Sequence, residues 1–193
     1  MGPQKALYWY LYSVITLPMF LLLPITSVIV LASDSFAGEK ERRTMESLLS
    51  EPLSMSDLFV GKVLAPVIVA LAVTWVSVTI YWTLALHFTS ALGLDIGPGG
   101  VWYTAMLILV PAITLSNVAL VSWISSLSKG FKESQQVSGV LILPVAALVL
   151  TSATGNLVPT VGLILELSAV YAALFVVGTF IWSRLIKPGR LID

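Results

Sequence analysis

The chain contains no cysteine and only one histidine, His87, among its 193 residues. Without cysteine it can form neither a disulfide nor a thiolate metal site, and one histidine cannot build a histidine cluster around a metal. Charge is also scarce, because only 10% of the residues are charged, whereas soluble domains average about 25%. The ten cationic and ten acidic residues cancel. The chain therefore has no net charge to attract a polyanion, and nucleic acid is not an expected partner.

The motifs of common catalytic sites are missing as well. Gly61-Lys62-Val63 contains the Gly-Lys of a phosphate-binding loop but not the Ser or Thr that must follow it. His87 has no second histidine to act with, and it lies at the outer end of an apolar run. We therefore expect no enzyme activity, no bound cofactor and no metal on this chain.

Long apolar runs dominate what is present. Hydrophobic residues make up 58% of the chain, and its mean hydropathy is +0.97. A membrane-spanning helix needs about 20 apolar residues, and an open sheet cannot satisfy its edges in lipid. The sequence thus predicts an all-α, polytopic membrane protein that forms a single transmembrane domain in the lipid bilayer. The five predicted spans are about 8–32, 59–88, 101–127, 137–151 and 162–186.

A charged segment separates the first two spans. Met45, Leu48 and Leu49 follow i, i+3, i+4 spacing within it and would form an apolar stripe, while Pro52 would end the helix. The pattern predicts a short amphipathic helix over about 42–50 that docks on the membrane surface or on another protein. A solvated loop with one helical turn is the simpler alternative. The charged residues of the segment are Glu39, Lys40, Glu41, Arg42, Arg43 and Glu46. Within it, Glu39 with Arg43 and Arg42 with Glu46 have the i, i+4 spacing of ion pairs on one helix face.

Lys and Arg predict the orientation in the membrane. If the charged segment is cytoplasmic, nine of the ten Lys and Arg residues lie on that side and only Lys5 lies outside. This predicts a multi-pass protein of the plasma membrane with its N-terminus outside and its C-terminus in the cytoplasm. A predicted loop over 128–136, with Lys129, Lys132 and Glu133, would then also be cytoplasmic. Aromatic residues expected near the outer interface include Tyr8, Tyr12, Tyr81, Trp82 and Trp102.

Two polar residues within the spans are candidates for a substrate pathway. Glu166 lies about one turn into the fifth predicted span, where an ionisable residue is costly and usually marks a function. The alternative is that it caps the helix at a wetted interface. Asn117 lies in the third span, where it can line a pathway or form hydrogen bonds between helices.

The segment Glu-Lys-Glu-Arg-Arg-Thr-Met-Glu-Ser-Leu-Leu-Ser-Glu-Pro-Leu-Ser, followed by Leu58 and Gly61-Lys62, resembles the cytoplasmic signature of ATP-binding cassette (ABC) transporter permeases of the type-2 export class. A weaker resemblance covers 125–144. The resemblance implies a permease subunit that forms the substrate pathway and couples to separate cytoplasmic ATPase subunits, which bind ATP and Mg. It also implies a second permease subunit, in a homo- or heterodimer, and makes the helix at about 42–50 the coupling helix.

The resemblance assigns contact with the ATPase to both charged segments. The residues concerned are Glu39, Glu41, Arg42, Arg43, Met45, Glu46, Leu48, Leu49, Lys129, Lys132 and Glu133. The family usually has six spans with the charged segment after the second, so its first span and external region are expected to be absent from this chain. Two other functions remain open: a secondary transporter or channel that uses Glu166, and a non-transporting membrane anchor. A neighbouring or co-purifying ATPase would favour the exporter.

Overall fold

In a computed structural model, the chain is described at residues 2–42, 55–94 and 96–185, without the side chains of 55–60 and 181–185. Regular structure within these ranges is entirely helical, and five helices are long and apolar enough to cross a membrane. This confirms the predicted all-α, polytopic fold. The helices are α1 (Pro3–Glu41), α2 (Met55–Ala91), α3 (Gly100–Leu127), α4 (Phe131–Ala153) and α5 (Val161–Leu185).

Helix α3 lies at the centre of the bundle. More than half of its most apolar stretch (56%) is buried inside the protein, against 17% for the corresponding stretches of α4 and α5. It packs against α1, α2 and α5, while α4 packs mainly against α1. The buried apolar residues of α1 and α3 recur every three or four positions, as expected for one face of a helix. They include Leu17, Leu21, Ile25, Val28 and Ile29 on α1, and Leu109, Ile113, Val118 and Val121 on α3.

Aromatic rings join the first three helices. The rings of Trp82 and Trp102 meet edge to face at 5.2 Å, and Tyr81 stacks on Trp102 at 5.9 Å. Phe20 of α1 completes the group, 5.0 Å from the Tyr81 ring. Trp102 is only 2% exposed and Trp82 only 6%. These two indoles therefore pack between helices and stabilise the bundle, and their place near the outer interface stays a prediction.

Helices α1 and α3 each contain π-helical turns, at Tyr10–Ile15 and Asp34–Gly38 in α1 and at Ala105–Leu109 in α3. Pro111 follows the turn in α3, and since proline has no N–H, the regular hydrogen-bond pattern cannot continue through it. The indole of Trp75 on α2 donates to the carbonyl of Met106 at 3.0 Å. A neighbouring helix thus satisfies a carbonyl in the irregular turn.

Helix α4 begins earlier than its predicted span of 137–151. It starts at Phe131, so the loop expected over 128–136 is reduced to the three residues 128–130. The first turns are polar, but Ser134 and Ser138 are buried on one face. The low hydropathy of residues 131–136 led the sequence analysis to place them in a loop. They are instead the first turns of α4, with serines packed on one face and polar residues exposed on the other.

A candidate coupling site at the charged end of the bundle

The carboxyl ends of α1 and α3 lie at the same end of the bundle as the amino ends of α2 and α4; we call this the charged end. The predicted coupling helix belongs here, but of its residues only Arg42 is described. Arg43, Met45, Glu46, Leu48 and Leu49 lie outside the described residues, so the apolar stripe and the pairing of Arg42 with Glu46 remain predictions. The structure describes the residues on both sides of that segment.

An ion pair joins α1 to α2 at this end. The ammonium of Lys62 on α2 donates to the carboxylate of Glu39 on α1, and the two side chains are only 13% and 25% exposed. The same ammonium lies 5.8 Å from the centre of the Phe36 ring, within the range of a cation–π contact. The predicted pairing of Glu39 with Arg43 stays a prediction, because Arg43 lies outside the described residues; the partner of Glu39 that the structure describes, Lys62, comes from the next helix. The pair ties together the helices on either side of residues 43–54.

A second ion pair lies along α1. The guanidinium of Arg42 contacts the carboxylate of Asp34 at 2.9 Å, eight residues earlier in the chain. Gly38 leaves room for the Asp34 carboxylate in this pair, since a Cβ at position 38 would lie 2.5 Å from Asp34 Oδ1. Both charged side chains are largely exposed, at 66% and 46%. Such a surface pair contributes about 0–1 kcal/mol, so it orients Arg42 more than it stabilises the fold.

The two charged segments predicted from the sequence meet at Glu41. Its carboxylate accepts the backbone N–H of Phe131 at 3.0 Å and thereby caps the amino end of α4. The carboxylate lies directly over Gly130, where a Cβ would approach Glu41 Oε2 to 2.9 Å. In the same turn Glu133 accepts the backbone N–H of Lys129 at 2.7 Å. Glu41, Lys129, Lys132 and Glu133 are all exposed, so this surface is open to a partner.

Beneath the charged residues runs a buried chain of serine hydroxyls. Ser134 of α4 donates to Ser33 of α1 at 2.9 Å, and Ser125 of α3 lies 2.6 Å from Ser134. A serine hydroxyl has one proton, so Ser125 must donate to Ser134 when Ser134 donates to Ser33. All three residues are at most 1% exposed. The sequence analysis missed this chain, because single serines in apolar helices give no signal of which helix they face.

The two candidate pathway residues are not part of this site. Asn117 is buried on α3 and donates its side-chain amide to the carbonyl of Ile113 in its own helix at 2.8 Å. Glu166 is exposed on α5. A hydrogen bond between α3 and α5 is made instead by Ser116, which donates to the carbonyl of Tyr171 at 2.6 Å. Asn117 is thus buried inside the bundle, whereas Glu166 lies on its surface.

A cavity of 260 Å³ opens at the opposite end of the bundle from the charged residues. It lies where α2 ends, and neither Asn117 nor Glu166 lines it. Its walls are Leu86, Thr89, Ser90, Gly93, Leu94 and Ile96.

The sequence pattern of the family described as ABC-2 family transporter protein matches residues 4–158 of the chain. The chain belongs to the ABC-2 transporter family. A curated relative, described as the ABC transporter permease protein NatB of Bacillus subtilis (strain 168), is 34% identical over 137 residues. The alignment covers 67% of this chain and 35% of the relative, so the chain spans about a third of the relative's length. No solved structure matches the chain.

The match to the ABC-2 family runs from the start of α1 to just beyond α4, and it includes both sides of the charged end. Membership confirms the resemblance on which the sequence analysis relied, and it agrees with the five apolar helices of a multi-pass membrane protein.

Proposed function

We propose that this chain acts as the membrane permease subunit of an ATP-driven ABC exporter and that the charged end is where its ATPase docks. One observation carries the proposal: the Glu41 carboxylate binds the amino end of α4, so the two charged segments form one surface. That surface exposes Lys40, Glu41, Arg42, Lys129 and Lys132. ATP and Mg bind to the partner subunit, and this chain carries no catalytic step.

The coupling helix at about 42–50 would seat Met45, Leu48 and Leu49 in a groove of the ATPase. When ATP closes the ATPase pair, the helix moves, and α1 and α2 follow as rigid bodies. The ion pair between Glu39 and Lys62 supports this, because it joins the two helices next to the segment that is pushed. Glu39, Glu41 and Arg42 then orient the coupling helix, while Lys129, Lys132 and Glu133 form the rim of the contact.

The proposed assembly has two permease subunits in the plasma membrane, with identical or different partners. A single chain with five spans is too small to enclose a gated pathway for a sizeable substrate, so the pathway would form between subunits. The charged end faces the cytoplasm, since it gathers the Lys and Arg residues that the positive-inside rule places there. Nucleic acid has no part in this function.

Substitutions at Leu48 test the docking. Burying a leucine side chain contributes about 1.5–3 kcal/mol, so Leu48→Ala should weaken co-purification of the ATPase subunit by roughly tenfold or more. Leu48→Asp should abolish it, because the groove would then receive an unpaired charge. Leu92→Asp, in the exposed turn after α2 at the opposite end, is the matched control and should retain full binding.

The same variants separate the exporter from its alternatives. If Leu48→Asp retains full ATPase binding and transport, the stripe is not the docking surface. If the wild-type chain binds an ATPase that transports nothing, the chain is a membrane anchor. If transport proceeds without ATP and is lost in Glu166→Gln, the chain is a secondary transporter.

A further inference from the structure

The serine chain and the Glu41 cap connect the same helices at two levels. Ser33 and Glu41 both lie on α1, eight residues apart, and their partners Ser134 and Phe131 both lie in the first turn of α4. Ser125 extends the connection to α3. We call these residues, Ser33, Glu41, Ser125, Phe131 and Ser134, the latch.

We propose that the latch makes α4 move with α1, so that Glu41 and Ser134 are positioning residues that transmit movement of the coupling segment to a helix outside it. This inference rests on the proposed function only for the source of that movement. The mechanical link between helices is a property of the chain itself.

The geometry supports a specific link rather than general packing. Elsewhere, most described serine and threonine hydroxyls of the spans donate to a carbonyl of their own helix, as Thr74 and Ser168 do at 2.7 and 2.6 Å. The hydroxyl of Ser134 instead contacts two other helices, at 2.9 and 2.6 Å. In an apolar medium an unpaired hydroxyl is costly, so the three serines favour a single relative placement of α1, α3 and α4.

Glu41 gives the latch an end that a partner can reach. Its carboxylate is exposed, and it lies at the last residue of α1, directly before the coupling segment. Gly130 leaves the space for it, because a Cβ there would meet Glu41 Oε2 at 2.9 Å. A force that moves residue 42 onwards therefore acts on Glu41 first, and through the Phe131 N–H on the start of α4.

Amide hydrogen exchange of the full chain in nanodiscs tests the link without any partner. Removing the acceptor in Glu41→Ala frees the Phe131 N–H, and a hydrogen bond of ordinary strength corresponds to about a fivefold change in an equilibrium. We expect exchange to rise about fivefold in peptides covering 131–138. In Ser134→Ala, a substitution on α4, we expect a comparable rise in the last turns of α1, around 33–41.

Two matched controls accompany these variants. Glu133→Ala removes a carboxylate that accepts a backbone N–H four residues away, and Ser126→Ala removes a hydroxyl that donates to Trp123 of its own helix. Both should leave exchange in α1 unchanged. Because Glu41 is exposed, Glu41→Ala leaves the buried core intact even if Ser134→Ala fails to fold.

Unchanged exchange in 131–138 for Glu41→Ala, with unchanged exchange in 33–41 for Ser134→Ala, would overturn the latch. The role of the latch in coupling is read from transport per ATP hydrolysed in Ser134→Ala, with Ser33→Ala as the second variant, because both hydroxyls are buried and lie outside the proposed docking surface. Transport per ATP hydrolysed should fall several-fold in these variants while ATPase binding persists. If the wild-type chain binds no ATPase, the proposed function fails and the exchange result still stands. If coupling is unchanged, the transmission role is wrong and the proposed function survives.

Discussion

At the scale of single residues, the charged end is held by contacts between side chains far apart in sequence. Glu39 and Lys62 are 23 residues apart, and Glu41 and Phe131 are 90 apart. Patterns of i and i+4 spacing indicate pairs within one helix, such as the predicted pair of Glu39 with Arg43, and give no sign of a partner on another helix. A carboxylate near a helix end can equally bind a neighbouring helix, and only the packing of α1 on α2 brings Lys62 within reach.

The ion pair of Glu39 with Lys62 gives a prediction at this scale. Hydrogen bonds to charged groups contribute about 1.5–3 kcal/mol, so Lys62→Ala should destabilise the protein by an amount in that range and lower its unfolding midpoint in detergent. Lys132→Ala, at an exposed position on α4, should change the midpoint little. The exchanged pair Glu39→Lys with Lys62→Glu should recover part of the loss, and no recovery would mean that the pair does not stabilise the fold.

At the scale of elements, the helices end where the backbone requires it. Gly93 and Gly155 follow the ends of α2 and α4 and have φ of 69° and 76°. The backbone N–H of Leu94 donates to the carbonyl of Thr89 at 2.8 Å, which is the bond of a Schellman motif. These glycines end the helices in a left-handed conformation that other residues rarely adopt, and polar turn composition alone did not single them out.

Substitution of Gly93 tests this helix end. Because no atom lies within 4 Å of a Cβ built there, the cost of Gly93→Ala comes from its positive φ alone, about 1–2 kcal/mol. Gly97→Ala in the same turn is the matched control, since its Cβ would make an ordinary 3.7 Å contact with Leu86 and its φ is not positive. Equal unfolding midpoints for the two variants would show that α2 does not need the left-handed residue.

At the scale of the whole molecule, the five apolar helices leave much of their surface without protein contact. Only 28% of the most apolar stretch of α2 is buried, and exposed apolar residues such as Ile68, Val76 and Ile80 lie along it. In water this surface would favour aggregation, whereas in a bilayer it contacts lipid or another subunit. The fold is therefore consistent with a membrane as its solvent.

Topology provides the prediction at this scale. Because the chain has no native cysteine, single cysteines at Lys40 and Gly99 report their side of the membrane without background. A membrane-impermeant maleimide should label Gly99→Cys in intact cells and Lys40→Cys only after permeabilisation, as the positive-inside rule requires. Labelling of both from the same side would contradict the proposed orientation.

The sequence by itself determined that the chain lies in a membrane, that it is helical and where its charged segment lies. Hydropathy and charge can be read from short stretches of sequence without knowing how those stretches pack. It also indicated the ABC-2 family through the residues from Glu39 to Lys62. Only the tertiary structure decided that Glu41 caps α4, that Glu39 pairs with Lys62 and that Ser33, Ser125 and Ser134 form one chain. Those partners depend on how each helix is rotated and shifted against its neighbours, and an apolar helix with scattered serines is compatible with many such placements.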